Sequence, residues 1–113
     1  MDRLQVVARR HPALHLSLAV RRVRNVVTVN GELDLATAPR LARVLERMDA
    51  STRPVVLDVT TLRFVDSMGW APVQAAQRRR RALGLTPVTV EGMSDRIARV
   101  VAVVESATSD VAG

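Results

Sequence analysis

The sequence predicts one α/β domain, a mixed β-sheet with helices packed on it, in the element order β-β-α-β-α-β-α. Three observations carry this. Leu14, Leu16, Leu18 and Val20 alternate with His15, Ser17 and Ala19, the period-2 pattern of a half-buried strand. Leu41, Val44, Leu45 and Met48 fall at i, i+3, i+4 and i+7, one face of a helix. Beyond Met48, strand-like and helix-like segments alternate, which favours right-handed crossovers in a single sheet.

In chain order, residues 1–13 form a leader or arm, 14–105 the domain and 106–113 a tail. The first strand is followed by a polar turn, Arg21-Arg22-Val23-Arg24-Asn25. Val26-Val27-Thr28-Val29 then completes an antiparallel hairpin that ends at Gly31. Thr37 is a candidate N-cap for the first helix, and Pro39 suits its first turn. Arg53-Pro54 closes the next loop. The apolar run Val55-Val56-Leu57-Asp58-Val59 has the form of a strand buried on both faces. A second helix begins near Ser67 and stops at Gly84, with Pro72 tolerable only in its first turn. Pro87-Val88-Thr89-Val90-Glu91 is the last strand. Ser94-Asp95 opens a third helix with Ile97, Val100, Val101 and Val104 on one face. The small and polar residues from Ser106 onward predict a flexible tail.

Composition removes several function classes. The chain has 113 residues, 48% of them hydrophobic, enough for one core without staples. Cysteine is absent, so disulfides, thiolate metal sites and cysteine nucleophiles are excluded. No apolar stretch approaches the ~20 residues that span a bilayer. The opening segment lacks the pattern of a secretory signal, and the expected location is the cytoplasm. The net charge of +6 rests entirely on arginine, compatible with an acidic protein, a nucleic acid or an anionic membrane surface.

The most informative segment is Phe64-Val65-Asp66-Ser67-Met68-Gly69. A strand and loop deliver Ser67 to the start of a helix, where unpaired N–H groups and the positive end of the dipole collect. A serine there serves as an N-cap. The same position also accommodates a phosphoserine, whose charge the helix end partly offsets. Gly69 lacks a Cβ and keeps the neighbourhood open.

Paired with Gly31-Glu32-Leu33-Asp34 about thirty residues earlier, this segment resembles the STAS domain, and more narrowly the bacterial anti-sigma factor antagonists. The resemblance extends from about Leu14 to about Val104 and includes Asp58 and Ser94-Asp95. It implies a STAS-like fold and a regulatory binding role. Ser67 would be phosphorylated by a partner serine kinase that is also the anti-sigma factor. The unphosphorylated form would bind that partner and release a sigma factor, and a PP2C-type phosphatase would restore it. Partner binding would involve Asp34, Asp66, Ser67, Met68, Gly69 and Trp70. The family commonly places Ser or Thr where Met68 stands, and a small aliphatic residue where Trp70 stands. An alternative keeps the fold without the switch: a STAS adaptor subunit of a transport or sensory assembly.

Other chemistries find less support. A nucleophilic Ser67 needs a base, and the only histidines are His11 and His15, so no enzymatic activity is expected. Asp34, Asp58 and Asp66 could converge on a hard metal, but they serve better as loop and strand-end residues; no metal or cofactor is expected. Arg78-Arg79-Arg80-Arg81 reads as a solvated helix end, or alternatively as a contact for nucleic acid or acidic lipid. Stacking aromatics are nearly absent, so direct nucleic-acid binding is not expected. Trp70 packs against the sheet or is exposed as a partner anchor; the sequence leaves both open, along with oligomeric state.

Overall fold

Short-period alternation and helical spacing give rise to six strands and three helices in the computed structural model, which describes residues 4–7, 14–20 and 23–112, with side chains over 14–19 and 23–107. The strands are β1 (Leu4–Val7), β2 (Leu14–Val20), β3 (Asn25–Leu33), β4 (Val55–Asp58), β5 (Leu62–Val65) and β6 (Thr89–Glu91). The helices are α1 (Ala38–Met48), α2 (Ser67–Ala82) and α3 (Asp95–Ala112). Part of the expected leader is therefore β1, antiparallel to β2. The rest of residues 1–13, His11 included, and Arg21-Arg22 of the expected turn lie outside the described residues.

The sheet runs β1-β2-β3-β4-β6, with β5 also pairing β3. β1, β2 and β3 are antiparallel; β3–β4, β3–β5 and β4–β6 are parallel. β3 thus serves two parallel partners. Its first half, Asn25 to Thr28, pairs β4, and its end, Gly31 to Leu33, pairs β5 across a register shift at Gly31/Glu32. Gly31 has φ 116°, a conformation that a side chain disfavours. The glycine therefore bends the strand where termination was expected, and β3 continues to Leu33. Asn25, expected in the turn, is its first residue, because its N–H finds the Pro54 carbonyl at 2.9 Å.

β5 replaces the expected loop around Phe64. Val65 is buried, but Phe64 is 46% exposed, since the bulge leaves the two strands out of step and turns Phe64 outward. Leu62 and Val65, at the two ends of β5, anchor the segment.

Alternation buries one face of β2 and β3 (Leu14, Leu16, Val27, Val29, Leu33) against Leu41 and Leu45 of α1, Trp70, Val73 and Ala76 of α2, and Ile97 and Val101 of α3. Val55, Val56 and Leu57 of β4 are all buried, as expected of a central parallel strand. α3 continues through Ala112, past the residue where a tail was expected. Once a helix is nucleated, each added residue gains a hydrogen bond. Among the described residues no helix is long and apolar enough to cross a membrane.

Candidate functional site

The end of β3 and the start of α2 meet at one edge of the domain. The Asp66 N–H donates to the Leu33 carbonyl at 3.2 Å. Gly69 lies directly against the same backbone: a Cβ built there would fall 2.0 Å from the Leu33 oxygen. Only glycine permits this approach. Its bare Cα makes room for β3 and not for a ligand, so Gly69 is buried and is corrected from a partner contact to a packing residue.

Each junction is fixed by an aspartate. Asp66 is the N-cap of α2, with extended backbone (φ −127°, ψ −177°), and its Oδ1 accepts from the Gly69 N–H at 2.8 Å. Ser67 is therefore not the cap. It is the first helical residue and exposed, because the aspartate one position earlier already holds the capping geometry. Asp34 Oδ1 accepts from the N–H groups of Ala36 and Thr37 at 3.0 and 3.1 Å, which tightens the turn into α1. Thr37 stands at the N-cap position of α1, but its side chain makes no cap bond. Its hydroxyl donates back to the Glu32 carbonyl at 2.9 Å and accepts from the Asp34 N–H at 3.0 Å.

Asp34, Asp66, Ser67 and Met68 therefore share one edge. Trp70 leaves this group. It is 1% exposed, packed in the core, and its Nε1 donates to Glu105 Oε2 of α3 at 3.2 Å. The helix turn carries residue 70 inward toward the sheet while residues 67 and 68 point out. Trp70 is thus corrected from a partner contact to a core residue.

Met68 is 50% exposed and Leu35 66%. Together with Pro39 and Ala42 of α1 and Ala71 and Ala75 of α2 they line an open groove of about 330 Å³. Pro72 is buried in the second turn of α2, beyond the first turn in which it was expected to be tolerable. Having no N–H, it leaves the Met68 carbonyl without the usual i+4 donor.

Asp58 lies apart from Asp34 and Asp66. Its Oδ1 accepts from the Thr60 N–H and hydroxyl at 3.0 and 2.6 Å. Among the described residues no group of three His, Cys, Asp or Glu could hold a metal ion.

The arginine run divides. Arg80 is 1% exposed, with Nε donating to the Thr86 carbonyl at 2.6 Å and Nη1 to Asp49 Oδ1 at 3.3 Å and the Met48 carbonyl at 3.4 Å. Arg79 Nε meets Asp49 Oδ2 at 2.5 Å. Arg78 and Arg81 are exposed. Half of the expected solvated run is thus structural, because Asp49 and the carbonyls at the end of α1 offer acceptors that a buried guanidinium needs.

A branched β3, parallel β4, β5 and β6, and an aspartate-capped α2 starting at Ser67 form the frame against which known families can be compared. The model of the family described as "Mlab, STAS domain" matches residues 16–108. The chain belongs to this STAS family. Among solved structures, this STAS domain is similar to an antisigma-factor antagonist STAS domain from Rhodobacter sphaeroides, with 20% identity, a TM-score of 0.50, and 73% of this chain and 89% of that one covered. It is also similar to an anti-sigma factor antagonist from Mycobacterium paratuberculosis, with 23% identity, a TM-score of 0.49, and coverage of 82% and 73%. At such identities the likeness concerns the fold. No curated protein matches the chain.

The groove and the Asp34 turn are what sequence reasoning missed. The turn had a signal in Asp34-Leu35-Ala36-Thr37, an aspartate followed by two short steps to a hydroxyl. The groove had none, since its walls come from helices whose pairing only the sheet order determines.

Proposed function

We propose that this STAS domain is an anti-sigma factor antagonist of the cytoplasm, a binding protein that regulates transcription by engaging an anti-sigma serine kinase and thereby releasing a sigma factor. Phosphorylation of Ser67 ends the engagement, and a PP2C-type phosphatase restores it. The observation that carries this reading is the division of labour at the start of α2. Asp66 caps and Gly69 packs, while Ser67 is exposed and makes no contribution the fold depends on. A phosphate of about −1.5 to −2 charges can be added there without unfolding the helix, beside the carboxylates of Asp34 and Asp66. The helix end tolerates the anion; an acidic partner surface does not. The description of the Rhodobacter sphaeroides structure as an antisigma-factor antagonist points the same way. Binding is favoured over catalysis because His15 alternates with the core-facing Leu14 and Leu16 and so points to the other side of the sheet, away from the helix layer.

Incubating the chain with ATP and a candidate anti-sigma kinase, followed by intact-mass measurement, tests this. One phosphate is expected on the wild type and none on Ser67→Ala. Phosphate on the alanine variant sinks the assignment.

A second reading is a constitutive STAS adaptor of a transport assembly. Met68, half-exposed and apolar beside Ser67, favours it, and so does the Mlab description of the matched family. Co-purification of a transport ATPase that Ser67→Glu leaves unaffected would select it.

A further inference from the structure

The groove between α1 and α2 has walls that differ sharply from its rim. The walls are apolar and mostly small: Pro39 and Ala42 on one side, Ala71 and Ala75 on the other, with Leu35 and Met68 at the mouth. The two mouth residues are large hydrophobics left substantially in water, a cost that a docked partner removes. The rim is charged. Arg43 follows Ala42, and Arg78 lies three residues beyond Ala75, on the next turn of α2. On α1 and α2 the exposed charged side chains are Arg43, Arg47, Arg78 and Arg81 against Glu46 alone.

Building on the reading that the Ser67 edge is a docking face, we infer that this groove receives a short amphipathic helix of the partner protein, two aliphatic side chains one turn apart followed by carboxylates. Length sets the first term. From Met68 to Ala75 the α2 wall rises about 10 Å, two turns, which accommodates side chains at i and i+4 of a facing helix. Wall chemistry sets the second. Alanine and proline surfaces let a helix approach within the usual 8–10 Å interaxial distance. An acyl chain is instead held by a pocket that encloses most of its surface, and this groove is open along its length. Charge sets the third, because Arg78 lies one turn beyond Ala75 on the α2 wall and, with Arg43 beside Ala42, outnumbers Glu46; these cations meet acidic residues placed after the two aliphatic ones. The same arrangement explains why a phosphate matters: on Ser67, next to Met68, it sets a charge at the mouth that a seated aliphatic side chain would strip of water, which opposes docking.

The test is a selection of random peptides of roughly twelve residues, long enough for three helical turns, on the immobilised full chain. Enriched sequences are expected to share two aliphatic residues spaced by four and then Asp or Glu. A synthetic peptide of that consensus should bind about tenfold more weakly to Arg78→Glu and to Ala71→Glu, both substitutions being at exposed helix positions that leave the far-UV circular dichroism unchanged. No shared pattern, or affinities within about twofold of wild type for both variants, overturns the inference. Loss with the groove variants but not with Ser67→Glu keeps the groove and removes the switch. Loss with Ser67→Glu alone keeps the switch and removes the groove. Flotation of the chain on phosphatidylglycerol vesicles, abolished by Arg78→Glu and unaccompanied by any peptide consensus, assigns the surface to lipid and overturns it as well.

Discussion

The two ends of α2 are built from opposite principles. At its C-terminus the chain is over-determined. Leu85 N–H donates to the Arg80 carbonyl at 2.8 Å and Gly84 N–H to the Arg81 carbonyl at 3.1 Å, the paired bonds of a Schellman stop around Gly84 in the left-handed region (φ 72°). Beneath it the Arg80 guanidinium ties α2 to the end of α1 and to the Thr86 loop. At its N-terminus one carboxylate and one missing Cβ suffice, and the two residues that follow the cap reach solvent. The locked end gives the exposed end a fixed platform. The exposed end keeps its stabilising bonds few and places them on the residues that flank Ser67.

Substitutions at either end put this contrast to the test. The largest effect is expected at the locked end. Arg80→Ala empties a buried side-chain site and leaves the Thr86 and Met48 carbonyls without their donor, while Asp49 keeps Arg79; the substitution should cost about 3 kcal/mol in urea unfolding. Next comes Gly69→Ala. The gain in helix propensity, about 1 kcal/mol, is outweighed by a clash with backbone that cannot move aside, and a net loss of about 2 kcal/mol is expected from denaturation curves. Asp66→Ala removes a cap and should cost about 1 kcal/mol, read as a fall in Tm of about 4–8 °C, while Asp66→Asn retains most of the stability. Smallest is Ser67→Ala, within about 0.5 kcal/mol of wild type. Ser67→Glu should be equally benign for stability yet weaken partner affinity. If Ser67→Ala unfolds the domain as readily as Asp66→Ala does, the contrast between the ends fails.

Much of this was legible in the sequence, for identifiable reasons. Alternation at Leu14 to Val20 and helical spacing at Leu41 to Met48 reflect one-sided burial, and burial is what those periods report. Gly84 was readable as a stop because a left-handed residue after a helix is a local event. What was not legible depended on distant partners. Gly31 reads as an end from its neighbours, but β5 arrives from residues 62–65 to extend the strand. Gly69 reads as an opening until Leu33 is placed against it. Trp70 was undecided until the helix phase turned it toward the sheet and Glu105. Arg80 sits in a run of four identical side chains, and nothing in that run distinguishes the one beneath the surface. Asp66 and Ser67 are both capping residue types, and a one-residue difference in where the helix starts exchanges their roles.

The buried indole has a practical corollary. Trp70 is the sole tryptophan of the chain, sealed from water and joined to α3 through Glu105, yet only three positions from Ser67. Its emission reports whether α2, α3 and the sheet are assembled, and it stays quiet when something settles on the outer surface. The protein therefore carries an internal gauge of integrity set apart from the exposed Ser67 edge, so folding can be followed by emission in the same cuvette in which events at that edge are read with a separate label.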